Sequence, residues 1–484
     1  MSIAILIGIM SSKKTLSGRY NSPIFFGLQP ADEWIAIITF ILLTLFLLLI
    51  GASNILNFFF PLGAFALGIQ LYFKAPILYI GFTWWIFFLT PLVRRLADYQ
   101  SGFKDPSPIL LAPYLVAIVT LYTFGKYLPK IYRQGGLPFI LSLVGLFYGF
   151  VIGLIQLSPI TAGVALLEWL VPVLFGLHLF VNWRNYPNYR QNIQRVFIWG
   201  VLIMGIYGIF QYIVVPEWDV FWSINSGMVG STGKPEPLNI RVWSTLNSPG
   251  PFANVMKAGL LLLFTSQSVL TVSASLAGYI SFLLSLVRAA WLGWFLGVLV
   301  LFSSLKSSLQ MRLITTFILM SVLVVPLTTI EPFSTRINQR FETFHNVEQD
   351  NSAKARQETY RRQIGPALTS FVGEGIGSAN NDSAILDFLL HLGWLGTIFY
   401  LSGMLQLVVV IFQKSKYSLD LFAAVSRAIV ASALIQLFFG SVMLGLNGMI
   451  LWGFLGIGMA DNKYAQHQAI IKRKLLLEKA SLKY

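Results

Sequence analysis

Two arginines lie beside apolar runs, and the position of each suggests a functional role. Arg241 precedes Trp243, and because a guanidinium fits a phosphate bidentately, the two residues can form a stacking and phosphate-binding pair. The alternative is a tryptophan anchored at a membrane interface beside a snorkelling arginine. Arg288 lies between two apolar runs, where a charge is costly unless it meets an interface or a polar cavity. Arg288 is therefore a functional candidate by default.

The longest polar interval runs from Thr329 to Asp382 and contains further arginines. A connection of this length is usually functional or disordered. Residues 350–370 predict an amphipathic helix, because capping residues precede it and apolar residues recur at helical spacing. The predicted caps are Asp350, Asn351 and Ser352, the predicted apolar face is Ala353, Tyr360, Ile364 and Leu368, and Glu358 can pair with Arg362. The turn 373–378 follows, and its glycines leave amide N–H groups to meet an anion. A solvated cap on a membrane bundle is the plainer alternative.

The composition is that of a polytopic membrane protein. Of the 484 residues, 56% are hydrophobic and 11% are charged, and the mean hydropathy is +0.71, whereas soluble domains are about 25% charged. The net charge of +15 is dispersed over short loops, so no nucleic acid is expected as a partner. With no cysteine, the chain has no disulfide, zinc–thiolate site or thiol nucleophile. We see neither metal-ligand spacing nor a nucleotide-binding motif, and expect no cofactor.

Apolar runs long enough to approach a membrane span predict an all-α bundle of about 12–14 transmembrane helices. The fourteen candidates are residues 34–50, 54–73, 76–93, 108–124, 137–156, 160–181, 195–215, 249–266, 268–287, 289–305, 312–328, 384–412, 419–439 and 442–460. We see no internal repeat of the kind found in inverted-repeat transporters.

Basic residues predict the orientation of the bundle. Five intervals carry bases and no acid, which favours the cytoplasm: residues 13–19, 126–133, 184–195, 306–312 and 414–416. Fourteen spans with both termini inside then place intervals 216–248 and 329–383 outward. The interval 94–107 is also placed outward, against its arginines. The expected divisions are a cytoplasmic segment 1–33, transmembrane helices 34–194, a transmembrane core 195–460 and a basic cytoplasmic tail 461–484.

The core 195–460 resembles the bacterial O-antigen ligase and O-antigen polymerase superfamily. The resemblance is carried by Arg241 with the following Ser244–Pro249, by Ser285–Trp291, by the turn 373–378 leading into Ile385–Gly396, and by the fifteen residues between Arg361 and Gly377. The N-terminal third is similar only in its hydrophobic character. The resemblance implies a GT-C-like membrane glycosyltransferase that needs no metal.

In such an enzyme the donor is a polyprenyl-pyrophosphate-linked glycan, and a glycan or lipid-glycan acceptor attacks it on the outer side of the bacterial plasma membrane. The resemblance implies that the pyrophosphate is bound by arginines and by the glycine turn: Arg241, Arg288, one or more of Arg356, Arg361 and Arg362, and Gly375 and Gly377. The histidine of the ligases is replaced here by the segment 379–383. Asp382 can serve as the base in its place, or the chain is a polymerase or a divergent member.

A transporter or flippase for lipid-linked oligosaccharides or anions is the alternative function. It predicts polar residues along a path through the middle of the membrane, where Glu168, Asp387 and His391 interrupt apolar runs. The histidine is also explained as a satisfied core residue. We prefer the transferase because the charge is concentrated in the outward intervals.

Overall fold

The computed structural model describes residues 30–266, 268–305, 351–378, 383–413 and 420–481, together with isolated positions between 310 and 334. This part of the chain is helical and contains no strand, although one isolated bridge joins Gly233 and Ile240. Nine of its helical segments are long and apolar enough to cross a membrane, and two shorter apolar helices accompany them. The predicted class, a polytopic all-α bundle, is confirmed for these residues.

The helices follow one another with short connections. They are α1 Ala31–Leu49, α2 Ser53–Lys74, α3 Pro76–Ser101, α4 Ala112–Ile118, α5 Leu121–Ile131, α6 Leu137–Gln156, α7 Pro159–Val181, α8 Tyr186–Val214, α9 Glu217–Asn225, α10 Val229–Thr232, α11 Pro249–Leu263, α12 Val269–Leu284, α13 Arg288–Ser304, α14 Asn351–Thr369, α15 Ala384–Gln413, α16 Leu421–Ile435 and α17 Gly445–Ser481. Single 3-10 turns adjoin several of them, including Gln436–Phe438 after α16.

Glycines let the central helices approach each other closely. A Cβ added at Gly145 of α6 would lie 2.5 Å from the carbonyl oxygen of Gly396 in α15. A Cβ at Gly176 of α7 would lie 2.3 Å from the carbonyl oxygen of Trp452 in α17. Small residues at such contacts are typical of helices that associate in membranes, where packing replaces the hydrophobic effect.

The charged ends of several helices meet at one end of the bundle. We call this the arginine end, and it consists of segments 94–112, 215–249, 284–288 and 436–447. Ion pairs and hydrogen bonds join its parts, for example Arg95 to Asp219 and Asn254 to Asn447. Intervals 94–107 and 216–248 therefore share one end. This agrees with the count of spans, although the arginines of 94–107 favour the cytoplasm.

Three helices differ in length or shape from the predicted apolar runs. The apolar run 76–93 continues as helix to Ser101, because Arg94 and Arg95 are buried in the bundle and pair with carboxylates. α15 is kinked at Gly393, whose φ is +60°. The predicted tail 461–484 has no boundary at its start, since α17 runs unbroken through residue 461 to Ser481, and no glycine or proline interrupts residues 461–481.

We expect Gly176→Ala to destabilise the protein by about 1–3 kcal/mol, the usual cost of overpacking, because its Cβ would meet the backbone of α17. The matched control is Gly163→Ala in the same helix, where no heavy atom lies within 4 Å of the added Cβ. That control should be neutral or slightly stabilising, since alanine favours the helix. Thermal survival of the detergent-solubilised protein measures both. Equal melting of the two variants would contradict the packing described for α7 and α17.

Candidate functional site

Arg241 is bonded to backbone carbonyls of two other segments at the arginine end. Its Nε donates to the Ser285 carbonyl at 3.3 Å, its Nη2 to the Leu286 carbonyl at 3.4 Å, and its Nη1 to the Ser231 carbonyl at 3.1 Å. Arg241 thus ties α10 to the turn between α12 and α13. Phosphate binding by Arg241 stays a prediction, and the structure adds that the side chain positions this turn.

The turn that Arg241 holds leads directly into Arg288. Arg288 is the first residue of α13 and is half-buried, so its charge lies where two apolar helices meet and not within either. Its helix packs against α16 and the 3-10 turn Gln436–Phe438. The structure therefore brings two of the predicted arginine segments, 241 and 285–288, together.

We call Arg241, the turn 285–287 that it bonds, and Arg288 the clamp. Backbone strain concentrates around it. Among the described residues, four that are not glycine have positive φ: Val215 at 48°, Leu238 at 65°, Ser244 at 51° and Leu286 at 53°. All four lie between residues 215 and 286, in the segments around Arg241. Each such conformation costs about 1–3 kcal/mol, and such residues cluster at functional sites. This strain supports a functional assignment of the arginine end.

A buried ion pair fastens the strained segment to the bundle. Nη1 of Arg95 lies 2.5 Å from the Asp219 carboxylate, and both side chains are completely buried. Nη2 of Arg95 donates to the Ser244 carbonyl at 2.5 Å. Burial raises the pKa of the Asp219 carboxyl, and Arg95, with hydrogen bonds from Gln211 and Tyr207, opposes that rise. The pair joins α3, α9 and the segment after Arg241.

Gln211 is a site residue that sequence reasoning did not identify. Its Oε1 accepts from the backbone N–H groups of Trp243 and Ser244 at 3.1 and 2.8 Å. Its Nε2 donates to Asp219 at 2.7 Å. The signal was an amide inside the apolar run 195–215, which has to find partners within the bundle.

Lys257 was also missed. It lies in α11, only 1% of it is exposed, and its Nζ donates to Gln436 Oε1 at 2.7 Å and to the Ser432 carbonyl at 3.3 Å. Both acceptors are neutral and belong to the last turn of α16 and its C-cap. A cation near a helix C-terminus is stabilised by the helix dipole. The signal was a single lysine inside the apolar run 249–266.

The predicted amphipathic helix is present as α14, and its pair is formed. Arg362 Nε lies 2.7 Å from Glu358 Oε1, and both side chains are exposed. The apolar face is partly different from the prediction: Tyr360 and the buried Ala367 pack on α15, while Ile364 and Leu368 are exposed. Tyr360 and Ala367 are thus the apolar contacts by which this mostly polar helix packs on α15.

The glycine turn 373–378 is built for close packing. A Cβ at Gly375 would lie 2.3 Å from the backbone of Gly153, and Gly373, Gly375 and Gly377 all have positive φ. The expectation of free amides is wrong for several of them. The N–H of Glu374 donates to the Leu390 carbonyl at 2.6 Å, and the N–H groups of residues 373, 376 and 378 also bond within the protein. An anion contact by Gly375 or Gly377 stays a prediction.

The remaining predicted arginines lie on α14. Arg361 and Arg362 are exposed, and the side chain of Arg356 and the whole of Asp382 lie outside the described residues. α14 contacts the arginine end. The Tyr360 hydroxyl lies 3.5 Å from the Phe438 carbonyl, and it also lies 2.5 Å from the Ser383 hydroxyl.

Trp243, expected beside Arg241 as a stacking partner or an interfacial anchor, is completely buried next to Trp222. Its ring therefore does not face lipid. The three residues weighed for a transport path have neighbours within the protein: Glu168 lies close to Tyr114, Asp387 accepts from Ser441, and His391 packs against Trp169.

In comparisons with known proteins, no protein-family model matches the chain, and no curated protein matches it.

We expect Asp219→Asn to destabilise the protein by about 3–5 kcal/mol, because it leaves the guanidinium of Arg95 buried without a counter-charge. The double variant Arg95→Met/Asp219→Leu should be more stable than Asp219→Asn, since it removes both charges. Glu358→Gln, which breaks the exposed pair of α14, is the control and should change little. Heating followed by size-exclusion chromatography in detergent compares the three. A double variant that melts below the single one would contradict this account.

Proposed function

We propose that this chain is a membrane glycosyltransferase that transfers or polymerises a polyprenyl-pyrophosphate-linked glycan at the arginine end. The observation that carries the proposal is the clamp, in which Arg241 holds a strained turn that leads directly into Arg288. Strain retained around two guanidiniums fits a site preorganised for an anion. The resemblance of residues 195–460 to O-antigen ligases and polymerases supports the same function.

In the proposed reaction, an acceptor hydroxyl attacks the anomeric carbon of the donor glycan. The bond from that carbon to the pyrophosphate oxygen breaks, the hydroxyl proton passes to a base, and the lipid pyrophosphate leaves with its additional negative charge. We assign Arg288 to that developing charge, because a fixed cation in a site of low dielectric stabilises it strongly. Arg241 is a positioning residue that orients the turn and adds its own charge.

Asp382 is the proposed base. Its described neighbour Ser383 is hydrogen-bonded to Tyr360 of α14, which ties this segment to the helix that carries Arg356, Arg361 and Arg362. In this proposal the base and the acceptor meet at the arginine end. We place this end on the outer side of a bacterial plasma membrane.

A transporter or flippase is the second candidate, and two observations favour it. Glu168, close to Tyr114, and Lys257, held by neutral acceptors, place ionisable groups inside the bundle. An ionisable residue within a membrane is a functional candidate by default. The structural alternative for Lys257 is a cap on the last turn of α16.

A deletion strain complemented with variants tests the proposal. We expect Arg288→Ala to lower glycan transfer about 100-fold or more, the usual loss when one donor to a developing charge is removed. Arg133→Ala is the matched control, since Arg133 is exposed and lies on a connection away from the arginine end. Surface polysaccharide size and attachment are compared on gels, with membrane expression checked for each variant.

The outcomes separate the two functions. A glycan that is shortened or detached on deletion, restored by Arg133→Ala but not by Arg288→Ala, supports the transferase, and Asp382→Ala then tests the base. A normal glycan throughout, with solute or lipid translocation lost in Lys257→Met and Glu168→Gln, would establish the transporter instead.

A further inference from the structure

A cavity at the arginine end lies in the N-terminal third, outside the region that resembles a known family. Its volume is about 540 Å³, and it opens between the start of α2 and the segment after α3. The side chains that matter for its chemistry are Asn54, Asn57, Phe58, Phe103, Lys104 and Asp105. Cavities of this size accommodate small-molecule ligands.

Asn57 lines this cavity and is almost completely buried. The residue is only 4% exposed, and its Nδ2 donates to the Ser53 carbonyl at 3.1 Å, which directs Oδ1 away from that bond. Oδ1 has no hydrogen-bond partner within the protein. Because less than 1 Å² of this oxygen is accessible, it does not reach a molecule in the cavity, and the polar contacts fall to Asn54, Lys104 and Asp105.

The charges around the cavity favour a neutral ligand. Lys104 donates to Asn54 Oδ1 at 2.7 Å, and the Asp105 carboxylate, 74% exposed, lies 4.0 Å from Nη2 of Arg94. The two charged lining residues cancel, so no net positive field draws a phosphate here, in contrast to the arginine clamp. Donors and acceptors stand side by side, as a ligand with several hydroxyl groups requires.

Two aromatic rings complete the lining. Phe58 is 68% exposed although the bundle offers ample apolar surface elsewhere, and Phe103 carries the guanidinium of Arg94 at 5.0 Å from its ring centre. An aromatic face is electron-rich and attracts the C–H face of a pyranose ring, whose hydroxyl groups point outward to polar partners. Flat apolar rings beside amides and a carboxylate therefore fit a sugar better than an alkyl chain.

The cavity is rigidly connected to the proposed transfer site. Nη2 of Arg94 donates to the Lys104 carbonyl at 2.8 Å, and the adjacent Arg95 donates to the Ser244 carbonyl at 2.5 Å. Ser244 follows Arg241 by three residues. The clamp and the cavity therefore belong to the same end of the bundle.

We propose that this cavity is a subsite for a neutral sugar unit of the glycan, one that lies away from the bond being formed. The proposal rests on the proposed transferase function for its place in the reaction, whereas sugar binding at the cavity is tested independently of transfer. Phe58 stacks on the sugar ring, and Lys104 with Asp105 bonds its polar edge.

A kinetic comparison on α2 tests the subsite. Phe58→Ala and Phe73→Ala remove two phenylalanines of the same helix, 68% and 58% exposed, at opposite ends of it. With full-length protein in nanodiscs and lipid-linked glycan extracted from the host cells, Phe58→Ala should raise KM about tenfold and leave kcat within about twofold, as expected for a contact made equally before and during reaction. Phe73→Ala should change neither. Equal kinetics of the two variants would overturn the proposal.

Binding without transfer supplies the second readout. The probe is the oligosaccharide released by mild acid from the host's surface polysaccharide, observed by saturation-transfer NMR on protein in phosphatidylglycerol nanodiscs. Its ring protons should be saturated by the wild type, Phe73→Ala and Arg288→Ala, and much less by Phe58→Ala. Unchanged saturation in Phe58→Ala, or displacement of the sugar when phosphatidylethanolamine is added, would overturn the proposal, the latter assigning the cavity to a lipid headgroup. Saturation by a wild-type protein that shows no transfer activity would reject the transferase and keep the subsite.

Discussion

The buried pair of Arg95 and Asp219 is the interaction on which the arginine end depends. It joins residues 124 positions apart in the chain, and the guanidinium also bonds the carbonyl of Ser244. Taking two charges out of water is unfavourable unless the geometry is good and the remaining polar atoms are bonded. Gln211 and Tyr207 complete the hydrogen bonds to the carboxylate. The strained backbone that leads away from Arg241 can persist because this network determines its position.

Hydrophobic periodicity and length were enough to predict much of the fold. The apolar runs 137–156 and 160–181 correspond closely to α6 and α7, and the amphipathic pattern at 350–370 corresponds to α14. These elements are set by local sequence, since a helix needs only its own residues to satisfy its backbone in a membrane. Side-chain pairings between distant segments have no such local signal.

Both misinterpretations of the site arose from tertiary contacts. The amides of the turn 373–378 looked available for an anion, yet α6 and α15 pass so close that the N–H groups of Ile376 and Glu374 bond to their carbonyls. The arginines of the interval 94–107 were weighed as signals of orientation, yet Arg94 is buried against Asp98. In each case a group that could bind a ligand instead makes a bond within the protein. Lys257 is a further example, because it donates to the end of α16.

The unbroken course of α17 has a mechanical consequence. Its 37 residues form a rod about 55 Å long at the usual rise of 1.5 Å per residue. A hydrocarbon layer about 30 Å thick covers only part of that length, so a stiff basic arm with Lys472, Arg473 and Lys474 exposed on it stands clear of the bundle. The other end of the rod begins beside Asn254 and the loop that contacts Tyr360. A load applied to the arm is therefore transmitted, without an intervening hinge, to the opposite end of the molecule.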